Sequence, residues 1–258
     1  MARFQSAGVD IVFDGIGEGP PVVLVHGFAA HRRQAWRSAD WYDDIIDGGR
    51  EVLALDLRGH GESGKPLDPA AYTLDLMVGD VIGLLERCGI DRADMIGHSM
   101  GARLVLEVMR RHPQRVGRGV LIGVGERLFE PSRDPAAMAN AMRARRAADV
   151  ADEAARSFRI FAETTDADLE ALACCTEAPR DRLRPEDLAG IETPTLVVAA
   201  GRDEFAGDSA PLAEAIPGAR LQVVPGTAHH SVLTDPRTRT AVFAFLGIAA
   251  SSGAVSRW

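Results

Sequence analysis

Three residues far apart in the chain, Ser99, Asp203 and His229, have the types and the order of a nucleophile, an acid and a base. Ser99 sits in Gly97-His98-Ser99-Met100-Gly101. Glycines two before and two after a serine leave room for a sharp strand-to-helix turn that exposes its hydroxyl. A hydroxyl is a weak nucleophile unless a base takes its proton. His229 follows the apolar run 221–224 and Asp203 follows 195–200, so each lies just past a strand. The order serine, acid, histidine is one of the known chain orders of such a triad. Rivals stay open at this point: His230 as the base, Glu204 beside Asp203, or Glu126 one strand earlier. His26-Gly27-Phe28 follows another apolar run. The backbone N–H groups of Phe28 and Met100 could then meet a developing oxyanion, aided by the partial positive charge of a helix N-terminus.

These residues need elements to place them. Short apolar runs recur at 22–25, 52–55, 94–96, 120–122, 196–199 and 221–224, most of them continuous. Continuous runs read as strands of a parallel sheet covered on both faces. A hairpin is expected at Arg3–Ser6 and Val9–Phe13, around Gly8. Helical spacing covers 74–88, closed by Gly89, and 100–111, stopped near Pro113. Further helices are expected over 209–216 and from Pro236, capped by Asp235, to Leu246. The alternation predicts an α/β fold with a doubly wound, mostly parallel sheet. No strand run appears between Gly125 and Gly190, where helices are expected at 135–147, 149–161 and 166–174. The predicted domains are a core of 1–124 and 191–258 and a helical insertion, 125–190. The tail Ser251–Trp258 is expected to fray. Ligands bind outside the carboxyl ends of such strands. His26, Asp56, Gly97–Gly101, Gly201-Arg202-Asp203 and His229 all fall there.

Composition narrows the classes. The 258 residues carry 29 Lys and Arg against 37 Asp and Glu, a net charge of −8. That balance argues against nucleic acid as a partner. No run of 18 apolar residues suggests a membrane span, and the first ten residues lack the apolar centre of a secretory signal. Three cysteines, Cys88, Cys174 and Cys175, make no disulfide framework. A cytoplasmic location is expected. No zinc-ligand spacing appears, so neither metal nor organic cofactor is expected. His31, His60 and His112 read as surface or loop residues, while His26 and His98 read as loop-positioning residues flanking the site.

At this point the chain resembles the α/β-hydrolase superfamily, over nearly its whole length. Asp56-Leu57-Arg58-Gly59-His60-Gly61-Glu62-Ser63 is similar to the family's D-x-R-G-x-G-x-S loop. Gly226-Thr227-Ala228-His229, with Pro236 seven residues beyond the histidine, is similar to its catalytic-histidine loop, a register that favours His229 over His230. The resemblance implies Ser99, Asp203 and His229 as the triad, Phe28 and Met100 as oxyanion donors, and the insertion as a short helical cap. Absence of an HGGG run sets the chain apart from the hormone-sensitive-lipase branch. A serine, not an aspartate, at the nucleophile position disfavours dehalogenase and epoxide-hydrolase mechanisms.

The function expected is a serine hydrolase of a small or medium carboxylic ester or lactone, working through an acyl-enzyme on Ser99. The alternatives are an acyltransferase, a thioesterase or a C–C bond hydrolase on the same triad, and a non-catalytic hydrolase-fold binding protein. Phe28, His98, Met142, Phe158 and Phe161 are expected at the substrate. Met138, Met142, Phe158, Phe161, Leu169 and Leu172 have the spacing either to face the cleft or to form the apolar faces of the insertion's helices, and the core reading is favoured for most of them. Arg143, Arg145 and Arg146 form either a carboxylate site or, as such runs more often do, a solvated helix face. Cys174-Cys175 reads as structural. The partner is a small ester, lactone or acyl substrate; a homodimer stays open.

Overall fold

The computed structural model describes residues 1–130 and 135–249. The expected frayed tail, 251–258, lies outside them. Eight strands form one sheet: β1 (Ala2–Ser6), β2 (Val9–Ile16), β3 (Pro21–Val25), β4 (Glu51–Leu55), β5 (Ala93–His98), β6 (Val116–Ile122), β7 (Thr195–Ala200) and β8 (Arg220–Val224). Their order is β1-β2-β4-β3-β5-β6-β7-β8. Strands β1, β2 and β4 pair antiparallel, and every pair from β4 through β3 to β8 is parallel.

Helices cover both faces, which is why the central strands are continuously apolar. Every residue of β7, Thr-Leu-Val-Val-Ala-Ala, is buried. One face packs under α3 (Leu74–Cys88), α4 (Met100–Arg111) and α8 (Ala210–Ala215) through residues such as Met77, Leu104 and Leu212. The other packs under α1 (Arg32–Ala35), α2 (Trp41–Asp47) and α9 (Pro236–Leu246) through Ala35, Trp41 and Val242. Strand β8 departs from the buried reading. It is the sheet edge, and Leu221 and Val223 are exposed.

The expected caps form. Thr73 accepts the Leu76 N–H, and Gly89 closes α3 in a left-handed conformation. Asp235 accepts the Arg237 N–H ahead of Pro236. Helix α2 was not foreseen. Trp41, Tyr42 and Ile45 bury one of its faces, and the Trp41 indole N–H donates to the Leu233 carbonyl at 3.0 Å.

Between β6 and β7 run α5 (Pro135–Arg143), α6 (Glu153–Thr164) and α7 (Leu169–Glu177). They share a small apolar cluster with Ala139, Met142, Leu172 and Ala173. Cys174 and Cys175 at the end of α7 pack into the main core instead, as free thiols. Thr165, just past α6, donates its hydroxyl to the Ala29 carbonyl at 2.7 Å, tying this segment to the loop after β3.

Candidate active site

Ser99 sits between β5 and α4 with φ 52° and ψ −116°. A serine held at positive φ is strained, and such strain concentrates at functional sites. Crowding explains the two flanking glycines. A Cβ on Gly97 would overlap the start of α4 at Gly101 and Ala102; one on Gly101 would overlap the Val25 and His26 carbonyls. The elbow is braced from below, where the Ser99 N–H donates to the Ile122 carbonyl at 2.8 Å.

His229 Nε2 lies 2.9 Å from Ser99 Oγ. Its Nδ1 lies 2.8 Å and 3.0 Å from the two Asp203 carboxylate oxygens. This pairing assigns the proton to Nδ1, which donates to Asp203 and leaves Nε2 free to accept from the serine hydroxyl. Burial alone would raise the Asp203 pKa. The hydrogen bond and charge of His229, with the Ala206 and Phe205 N–H groups, outweigh burial and hold it below the ordinary value. Asp203 is therefore an anion facing a buried imidazole, the arrangement that stabilises an imidazolium.

Neighbouring histidines hold the loops. His98 Nε2–H donates to the His229 carbonyl at 2.9 Å, with the two rings 5.0 Å apart. His26 Nδ1–H donates to the Gly27 carbonyl at 2.8 Å, and its Nε2 accepts the Leu57 N–H at 3.0 Å. His26 thereby clamps the loop after β3 to the loop after β4. Contrary to the surface reading, His60 is buried at 1% exposure. Its Nδ1–H donates to the Arg58 carbonyl, and its ring packs against His26 and Phe28. Burial pushes all three imidazoles down to about 3, so they are neutral near neutral pH.

The loop 56–63 is structural bracing. Asp56 accepts the Arg32 and Glu62 N–H groups at 2.8 Å each and pairs with the Arg32 guanidinium. Arg58 grips Asp80 through two 2.7 Å hydrogen bonds. Ser63 donates to the Asp56 carbonyl at 2.6 Å while accepting the Val12 N–H. The loop carries the buried face on which His26 and Phe28 rest.

The Phe28 and Met100 N–H groups donate to no acceptor among the described residues. Met100 is the first residue of α4, where backbone donors lack helical partners. Both are free to meet an oxyanion.

A cavity opens on Ser99 and His229. Phe28, His98, Phe158 and Phe161 line it. Met142 does not. It points into the apolar cluster of α5–α7 and is 1% exposed, because that face of α5 is needed to bury the insertion's own helices. Arg143, Arg145 and Arg146 are exposed and away from the cavity. Arg143 pairs with Glu170 and Glu177, and Arg146 with Asp149. Of the rivals, His230 lines the cavity but makes no bond to Ser99 or Asp203, and Glu204 is exposed. Glu126 accepts the Asp208 N–H at 3.1 Å, bracing the loop that carries Asp203.

Sequence reasoning passed over Gln34, which lines the cavity, and Phe205, whose ring lies 5.2 Å from His229. Phe205 had a signal, lying two residues past Asp203. Gln34 had only its place on the loop after β3. Among the described residues no group of three or more His, Cys, Asp or Glu is placed to hold a metal, and no helix is long and apolar enough to cross a membrane.

Fold and site together define an α/β hydrolase. The chain belongs to the alpha/beta hydrolase family, whose model matches residues 22–242. It is 35% identical over 112 residues to "Epoxide hydrolase 2" of Siraitia grosvenorii, a stretch covering 42% of this chain and 34% of that protein. It is 34% identical over 118 residues to the "2-hydroxymuconate semialdehyde hydrolase" of Pseudomonas sp. (strain CF600), covering 46% and 41%. The match thus spans well under half the length of these curated relatives. Among solved structures, the enol-lactonase from Burkholderia xenovorans LB400 is 27% identical with a TM-score of 0.73, covering 95% of this chain and 100% of that one.

Proposed function

We propose that the protein is a serine hydrolase of small or medium carboxylic esters or lactones. The observation that carries this is the unbroken hydrogen-bond chain Ser99–His229–Asp203 beside two free backbone donors. Ser99 Oγ attacks the carbonyl carbon while His229 Nε2 takes its proton. The carbonyl electron pair becomes an oxyanion held by the Phe28 and Met100 N–H groups. As the oxyanion collapses, His229 returns the proton to the departing alkoxide and an acyl-Ser99 ester remains. Water, deprotonated by the same imidazole, releases the acid and restores Ser99. In a lactone the leaving alcohol stays attached to the acyl chain.

Helices α5–α7 act as a cap in this reading. Phe158 supports it, lying 5.8 Å from Phe28 and 4.9 Å from Phe205 in ring separation, so that α6 roofs the nucleophile. The epoxide-hydrolase name of one relative is not carried over, because Ser99 is not the carboxylate that opens an epoxide through an alkyl ester. The test is hydrolysis of p-nitrophenyl esters from acetate to laurate by wild type and Ser99→Ala. Turnover lost in the variant supports the reading. No turnover by folded wild type, or turnover retained in Ser99→Ala, overturns it.

A further inference from the structure

Buried polar atoms are nearly always paired, so exceptions need a reason. Two exceptions belong to residues on the wall of the cavity at Ser99. Gln34 Oε1 and His230 Nε2 are both shut off from solvent and have no hydrogen-bond partner among the described residues. His230 Nε2 is not placed by chance rotation of a free side chain. His230 stacks on Phe161 with ring centroids 4.5 Å apart and an interplanar angle of 24°, and Phe158 meets it edge-on at 5.7 Å. Gln34 rides on α1, whose first turn is closed by its own N–H donating to His31 Nδ1 at 3.3 Å.

The rest of the wall near them is apolar, formed by Ala30, Ala35, Leu233 and Phe161. Among the described residues no Lys, Arg, Asp or Glu side chain lines the cavity. Burial pushes the His230 imidazole down to about 4, so it brings no positive charge near neutral pH. A substrate carboxylate here would be buried without a counter-ion, which is strongly unfavourable. A plain alkyl chain would leave both polar atoms unpaired. An uncharged group with a donor and an acceptor satisfies them. A neutral imidazole nitrogen accepts or donates according to its tautomer, and a carboxamide does both.

We propose that Gln34 and His230 form a polar subsite selecting esters or lactones that carry an uncharged hydroxyl or amide group, over plain alkyl and carboxylate-bearing ones. This rests on the reading of Ser99 as the nucleophile of an ester hydrolase. The subsite gives the cavity a specificity that its aromatic wall alone lacks, since sites built to hydrogen-bond a substrate reject analogues without that group.

The test compares ethyl hexanoate, ethyl 3-hydroxyhexanoate, ethyl 6-hydroxyhexanoate and monoethyl adipate by pH-stat titration. Wild type should show kcat/KM about tenfold higher for at least one hydroxy ester than for hexanoate, the scale of one well-made hydrogen bond. The adipate monoester should be the poorest of the four. Gln34→Met and His230→Phe, chosen for similar shape, should each shrink the hydroxy-to-hexanoate ratio, a readout indifferent to how much folded enzyme is recovered. Binding of the same esters to Ser99→Ala, followed by saturation-transfer NMR, should rank them in the same order. Equal rates for hydroxy and plain esters in wild type, a ratio unchanged in both variants, or a preference for the adipate monoester overturns the subsite and leaves the esterase reading standing. If wild type hydrolyses none of the four, the esterase reading fails and the binding order decides the subsite. Tighter binding of a hydroxy ester supports it, and equal affinities overturn it.

Discussion

Mild acid should destabilise this protein through its buried histidines. His26, His60 and His98 are 0%, 1% and 4% exposed, and burial lowers each pKa to about 3 from an ordinary 6.5. The folded chain keeps them neutral, while the unfolded chain lets them charge. Below about pH 6.5 the unfolded state therefore binds more protons, and stability present above that value is lost as pH falls toward 3. One pH unit below 6.5, each imidazole costs about 1.4 kcal/mol, or about 4 kcal/mol for the three together. That is a large part of a typical ~5–15 kcal/mol total. Aspartates start from an ordinary value of 3.8, so a comparison of about pH 7.5 with about pH 5.5 isolates the imidazoles. The assay is urea unfolding followed by circular dichroism at both pH values, on wild type and on His60→Gln. Wild type should lose about 4 kcal/mol through these three and about 1.4 kcal/mol more through His230, lowered to about 4, and the variant about 1.4 kcal/mol less than wild type, whatever its starting stability. Equal unfolding free energies at the two pH values would refute the reasoning.

Three further outcomes bear on the site. Asp203→Asn should lower kcat by about a thousandfold or more with a smaller change in KM, because an amide no longer fixes the His229 tautomer; steady-state kinetics on a saturable ester checks this. Between pH 5 and 8 the acid limb of log kcat/KM should have a slope of one. His26, His98 and His230, held at about 3, 3 and 4, stay neutral across that window and add nothing to the slope; a slope of two would show one of them titrating. Phe158→Ala should open the roof over Ser99 and move the best p-nitrophenyl ester to a longer acyl chain, which the acetate-to-laurate series reads directly.

The turn at Ser99 was legible in the sequence where a local steric need dictated it. Gly97 and Gly101 announce the elbow because no Cβ fits against Ala102 or the Val25 carbonyl. Asp203 and His229 could be found because polar residues just past apolar runs fall at one edge of a parallel sheet. What stayed hidden depends on partners distant in the chain. Met142 has the spacing of a cleft residue as well as of a core residue, and only the packing of α5 on α7 decides between them. Helix α2 takes its stability from Trp41 meeting Phe243 and the Leu233 carbonyl, about two hundred positions away. The exposure of β8 follows from its being last in the sheet, which its composition does not reveal.

His60 shows why the buried histidines matter for function. In sequence it is one polar residue within a glycine-rich loop. In the fold it lies against His26 and Phe28, and His26 in turn fixes the Gly27 carbonyl beside the proposed oxyanion donor. His98 does the equivalent for the base, gripping the His229 carbonyl from the elbow itself. Preorganised donors stabilise a developing charge without having to move at the moment of reaction, and that needs rigid loops. An imidazole suits this task because, buried and neutral, it offers one donor and one acceptor at fixed positions. The cost is a charge that must be suppressed, so the groups that hold the oxyanion loop and the base in place are those through which acid should destabilise the protein.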